Sequence, residues 1–158
     1  MKFFEDLQVG DIREFGTYEF TAENIKRFAR KYDPQPFHLD EEAAKKSLFG
    51  ALCASGWHTG AACMRKVVDA NKRDYEEAIA RGEKPPLSGP SPGFKNLKWL
   101  KPVYAGDVVT YSSVITGLRE LASRPDYGLM QGLMLGVNQK GERVFEFESA
   151  AFIPRKAK

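Results

Sequence analysis

Apolar and polar positions along the chain fall into blocks of different period. Residues 12–20 (IREFGTYEF) are rich in β-branched and aromatic types and predict a strand. Thr21 has the chemistry of an N-cap, and Ile25, Phe28 and Ala29 share one face of a helix from Ala22 to about Tyr32. Asp33-Pro34-Gln35-Pro36 stops it. Proline pushes the residue before it out of the helical region, so Asp33 and Gln35 are expected to be extended. Asp40 is expected to cap a short helix, Glu41 to Ser47, whose acidic first turn suits the helix dipole. The longest helical pattern runs from Ser55 to about Arg81, with Trp57, Ala61, Met64, Val68, Tyr75 and Ala78 recurring near helical spacing. Gly56 to Val68 is almost uncharged before Arg65, which predicts burial on most sides. Asp69 to Arg81 is densely charged and should emerge into solvent.

Residues 82–93 hold four prolines and three glycines and read as a loop. Four strand candidates follow: Phe94–Leu100, Asp107–Gly117, Tyr127–Asn138 and Glu142–Pro154, with Asn138-Gln139-Lys140-Gly141 as a hairpin turn. In the last strand Phe145, Phe147, Ala151 and Ile153 face one way, and Glu146 and Glu148 the other. Gly128, Gly132 and Gly136 share one face of the third candidate and mark bends or a close approach by another element. The order predicts an α+β fold in which a curved antiparallel sheet, ending in a meander, wraps around one long helix. One helix covers part of such a sheet, so a second subunit is expected to complete the exposed edge or face.

Composition narrows the class. At 158 residues the chain is the size of one domain, here 1–158, and 42% hydrophobic with 28% charged residues is ordinary for a globular protein. No stretch is long and apolar enough for a membrane span, and Met1–Asp6 turns acidic without an apolar signal region, so a cytoplasmic location is expected. The net charge is +3, and Arg155, Lys156 and Lys158 lie in the last four residues. The body is therefore neutral, which argues against a nucleic-acid partner, and the tail over about 155–158 is expected to be solvated and disordered. Cys53 and Cys63 form no CxxC and read as free thiols in a reducing compartment. A zinc set of Cys53, His58, Cys63 and His38 is disfavoured, because five residues of helix leave two members about 140° apart. No metal is expected.

The chemistry-bearing segment is Asp33-Pro34-Gln35-Pro36-Phe37-His38. An aspartate and a histidine held by prolines beside Phe37 and Leu39 can form a general acid–base couple in an apolar pocket. Alternatively, Asp33 merely ends its helix and His38 is a satisfied structural histidine. The second candidate is Ser55-Gly56-Trp57 at the start of the long helix, where free N–H groups and the dipole could hold an oxyanion. The alternative is Ser55 as an N-cap and Gly56 as a packing glycine, with His58 structural. GxSxG is absent, and the prolines of Gly89–Gly93 remove the N–H groups a phosphate cradle needs.

The segment from Phe20 to Val68, with Asp33, Pro36 and His38 in a D-x-N-P-x-H-like pattern and Gly56 opening the long helix, resembles the MaoC-like dehydratases, the group of (R)-specific enoyl-CoA hydratases. Leu97–Val103, Gly106-Asp107 and Asn138–Gly141 extend the resemblance to about residues 5–154. It implies a hot-dog fold, usually dimeric. It further implies hydration of a trans-2-enoyl-CoA to an (R)-3-hydroxyacyl-CoA by Asp33 and His38, with the Gly56 N–H on the thioester oxygen and no cofactor beyond the CoA thioester substrate. Gln35 stands where the family has Asn, and Met64 falls at the family's usual serine position, with Ser55 and Thr59 the nearest hydroxyls. Two other readings remain: a non-catalytic acyl-CoA-binding or assembly domain, and a hot-dog acyl-CoA thioesterase. Arg124 and Lys95 are the candidate contacts for CoA phosphates, and residues 82–93 with the long helix the candidate walls of the acyl pocket.

Overall fold

The computed structural model describes residues 2–87 and 89–156. A 3-10 turn, Phe4–Asp6, precedes β1 (Ile12–Glu19), α1 (Ala22–Tyr32), α2 (Pro36–Leu39), α3 (Glu41–Lys45) and α4 (Gly56–Ala80). Then come β2 (Phe94–Trp99), β3 (Val108–Glu120), β4 (Tyr127–Asn138) and β5 (Arg143–Pro154). Three helices start on side-chain caps: Asn24 N–H donates to Thr21 Oγ1 (3.1 Å), Ala43 N–H to Asp40 Oδ1 (2.8 Å) and Trp57 N–H to Ser55 Oγ (3.2 Å). Gln35 is extended (φ −77°, ψ 141°) and Asp33 leaves the helical region (φ −154°, ψ 69°). The sequence reads the next residues as a turn, whereas Pro36 opens the helical turn α2, which carries His38. Proline loses nothing at a first helical position, where its N–H would have no partner.

All five strands are antiparallel, in the order β1-β3-β4-β5-β2. The expected meander is confined to β3, β4 and β5, while β2 crosses to the far edge beside β5. The crossing segment does not join the ladder. Its backbone pairs with the stretch before α4 instead, through Ala54 N–H to Val103 O (2.7 Å) and Ala105 N–H to Leu52 O (3.0 Å), and Pro102 has no N–H to give. In β5 the neighbours Val144 and Phe145 are both buried, because the register shifts at Gly136/Val137 and the bulge turns both inward. Gly128 marks the close approach: the Phe4 ring occupies the place of its missing side chain.

α4 lies in the concave face of the sheet. Tyr111 O–H donates to Thr59 O (3.0 Å), Gly60 meets the Phe145 ring, and Arg13 of β1 reaches Asn71 and Asp74 (2.8 Å each). Thr59, Ala62, Cys63 and Ala70 are its buried residues there, against Phe15, Tyr111 and Phe145 of the sheet. The stripe of larger residues points the other way: Trp57, Met64 and Val68 are 57%, 56% and 52% exposed. The expectation of burial on most sides is therefore corrected. Bulky sheet aromatics fill the space and leave room only for small residues on the helix.

The tail also departs from expectation. Arg155 pairs with Glu5 (2.8 Å) and Glu120 (3.1 Å), and Lys156 pairs with Asp6 (2.5 Å), so positions 155–156 are tied to the start of the chain. Positions 157–158 lie outside the described residues. Among the described residues no helix is long and apolar enough to cross a membrane.

Candidate active site

α2 presents His38 to the segment leading into α4. Its Nδ1 lies 2.7 Å from the Cys53 carbonyl. A carbonyl only accepts, so Nδ1 carries a hydrogen, and in the neutral ring Nε2 is the nitrogen with the lone pair. Nε2 lies 3.5 Å from Asp33 Oδ2, and Asp33 Oδ1 accepts from the Gln35 amide (2.8 Å). Burial pushes the Asp33 carboxyl up. The Ser55 hydroxyl, the Gln35 amide and His38 outweigh it and hold the group below the ordinary carboxylate range. Asp33 is thus ionised at neutral pH, and two acceptors face one space.

That space is a cavity of about 420 Å³. Asp33, His38, Ser55, Gly56 and Trp57 all line it, and Phe37, Phe49, Trp99, Leu100 and Val103 supply apolar walls. The place of the missing Gly56 side chain is filled by the Trp99 indole, so Gly56 is a packing glycine on that side. Its N–H, at the first position of α4, has no partner among the described residues. Leu39 is not part of the lining, nor is Met64.

Lys95 and Arg124 are not brought to the cavity. Lys95 stands opposite Glu148 in the sheet, and the Arg124 guanidinium lies over the Phe152 ring (5.3 Å). The cation at the cavity is Lys101, paired with Glu142 (2.5 Å). Of the loop residues, 82–87 and 89–93 do not line it either: Gly89 N–H bonds to Phe152 O (2.8 Å) instead. Cys53 and Cys63 are buried free thiols, and no group of three or more side chains suited to a metal occurs among the described residues.

Two participants escape sequence reasoning, and a third, Ser55, gains a role beyond those read from the sequence. The anchor of His38 is a backbone carbonyl, which no residue type announces. Trp99 reaches Gly56 from another element. Ser55 does two jobs, capping α4 with its oxygen and, from beside Asp33 in the same cavity, helping to hold that carboxyl low. His58 lies outside this cavity, buried under Phe28, and burial with Arg27 nearby drives its pKa down to about 4.

Residues 7–128 match the family described as MaoC like domain. The chain belongs to the MaoC-like family. Along its full length it is similar to the MaoC-like dehydratase from Rhodospirillum rubrum, with 35% identity, 100% of both chains covered and a TM-score of 0.83. The R-hydratase PhaJ1 from Pseudomonas aeruginosa, at 22% identity over 98% of this chain and 86% of its own, shares the fold with a TM-score of 0.69. The protein YdeM of Bacillus subtilis (strain 168) is 27% identical over 151 residues, 96% of this chain and 98% of YdeM. The architecture of this MaoC-like protein, a five-stranded sheet around α4, is the hot-dog fold.

Proposed function

We propose that this chain adds water reversibly to trans-2-enoyl-CoA thioesters, giving the (R)-3-hydroxyacyl-CoA. The observation that supports this reading is the pair of acceptors, Asp33 Oδ2 and His38 Nε2, 3.5 Å apart on one apolar-walled cavity. A water between them donates both hydrogens, which leaves an oxygen lone pair for C3 of the substrate. As the O–C3 bond forms, the C2=C3 electron pair moves onto the thioester oxygen, and one water proton passes to the dyad. The dyad then gives a proton to C2 as the carbonyl re-forms. Ionised Asp33 stabilises His38 whenever the ring is charged, and the free Gly56 N–H at the positive end of α4 is the donor for the developing oxyanion. Water addition is redox-neutral, so the step as written needs no redox partner.

A homodimer fits the outward surface of α4. Trp57 and Trp99 touch there (5.2 Å between centroids) beside the cavity, with Met64, Val68 and Leu100 also exposed, and β2 is a sheet edge paired on one side only. Binding without turnover is the competing reading: Met64 stands at the family's usual serine position in sequence, and its side chain does not line the dyad cavity.

The test is loss of enoyl absorbance with trans-2-enoyl-CoA thioesters of several lengths, on samples whose sedimentation gives the two-chain mass. Wild type is expected to turn over and Asp33→Asn to lose roughly 10²-fold or more. Release of free thiol instead assigns a thioesterase. Binding with no turnover across the panel overturns the hydratase reading.

A further inference from the structure

A second cavity of about 300 Å³ lies between α1 and the first turns of α4 and shares no lining residue with the dyad cavity. Two rows of α1 side chains form one wall. Phe28 and Tyr32 stand one turn apart with ring centroids at 4.9 Å, and Arg27 and Lys31 stand one turn apart beside them. Ala61 and Ala62 form the facing wall and leave it open, and Arg65 stands one turn further along α4.

The lining thus holds three cations and no carboxylate. Arg27 donates to the Asn24 amide oxygen (2.6 Å), and neither Arg27 nor Lys31 makes an ion pair among the described residues. Arg65 is the one that does, with Asp69 (3.0 Å). Like charges one helical turn apart repel. Tyr32 is 68% exposed, an aromatic surface the fold does not cover. Phe28 lies flat on buried His58 (4.6 Å, 5° between planes), which fixes the aromatic shelf in place. One ligand chemistry satisfies both features: a flat ring to lie on the shelf, carrying a phosphate for the guanidinium and ammonium groups.

We infer that the α1–α4 cleft binds the phosphate-bearing end of an adenine nucleotide. The nucleotide is either free or the tail of the CoA thioester, and the second source rests on the proposed function. The cleft then takes the place that Arg124 and Lys95 do not fill.

The test is calorimetric titration of the full chain with adenosine 3′,5′-bisphosphate at low salt. The variants are Arg27→Gln/Lys31→Gln and Ala61→Leu, which fills the cleft without changing charge, with circular dichroism confirming the fold. Wild type is expected to bind, and both variants to weaken Kd roughly tenfold or more. No binding by wild type at millimolar nucleotide overturns the site. Weakening by the charge variant alone also overturns it, since that is attraction to charge without a cleft.

KM then separates the sources. A rise for enoyl-CoA but not for enoyl-pantetheine in the double variant assigns the CoA tail. Unchanged KM with lost nucleotide binding assigns a free nucleotide. If wild type turns over neither substrate, the proposed function fails while the titration still decides the cleft.

Discussion

His38 and His58 are the chain's two histidines, and each is 5% exposed. Both are packed in aromatic rings, His38 edge-on to Phe37 (4.5 Å) and His58 flat against Phe28 (4.6 Å). Their nitrogens meet different groups. His38 is held by a carbonyl on one side and faces a carboxylate on the other. His58 meets the Tyr18 hydroxyl at Nε2 (3.2 Å), has no partner at Nδ1 among the described residues, and sits near the positive charge of Arg27. A carboxylate stabilises an imidazolium, while a guanidinium and apolar rings oppose one. Equal burial therefore leaves one ring facing a carboxylate and one held neutral. What the ring nitrogens touch decides the role.

The sharpest way to break that contrast is His38→Asn. The asparagine amide stands where Nδ1 does and can still donate to the Cys53 carbonyl, so the fold is expected to survive, but no proton-accepting nitrogen remains beside Asp33. Enoyl hydration is expected to fall about 10²–10⁴-fold, the usual worth of a positioned acid–base group. Retention of activity within a few-fold would remove His38 from the chemistry and leave it the structural histidine that the sequence also permits.

His58 sets the second effect, in stability. Its folded pKa is about 4 against an ordinary 6.5, so below pH 6.5 the unfolded chain takes up a proton that the folded chain refuses. The contribution is fully present above 6.5 and is lost as pH falls toward 4. By pH 5 the loss is about 2 kcal/mol. Urea unfolding of wild type and His58→Phe between pH 7.5 and 5 reads this directly: the variant's curve should be flatter by that amount. Parallel curves would mean that the ring is not held neutral.

Both histidines were visible as residues, but their surroundings were legible to different degrees. Local chemistry bounded α1, because Thr21 caps it and Asp33-Pro34 ends it, and the same prolines place Asp33 and His38 within reach of each other. The Ser55–Trp57 start of α4 was legible for the same reason. What depends on distant contacts was not. The large residues of α4 suggested a buried stripe, yet Tyr111 and Phe145 claim that space and turn Trp57 and Met64 outward. The cationic row of α1 meets Ala61 and Arg65 only after α1 packs along α4, so the basic cleft has no signature in either segment alone. Net charge concealed it too, since a neutral body can still hold a local cluster.

Ser55 offers the smallest and most discriminating test of what tunes the His38 side of the contrast. Its oxygen accepts from Trp57 N–H (3.2 Å) while its hydroxyl helps hold the Asp33 carboxyl low. Ser55→Ala removes both. Loss of the cap is expected to cost about 1 kcal/mol of stability. Loss of the hydroxyl lets burial raise the Asp33 pKa, so the acid limb of the kcat/KM profile should move to higher pH. Ser55→Thr keeps an oxygen and a hydroxyl and should restore both properties. A Ser55→Ala protein that loses the cap stability but keeps its acid limb in place would show that Ser55 serves the helix alone, and that the Gln35 amide and His38 suffice to keep Asp33 ionised.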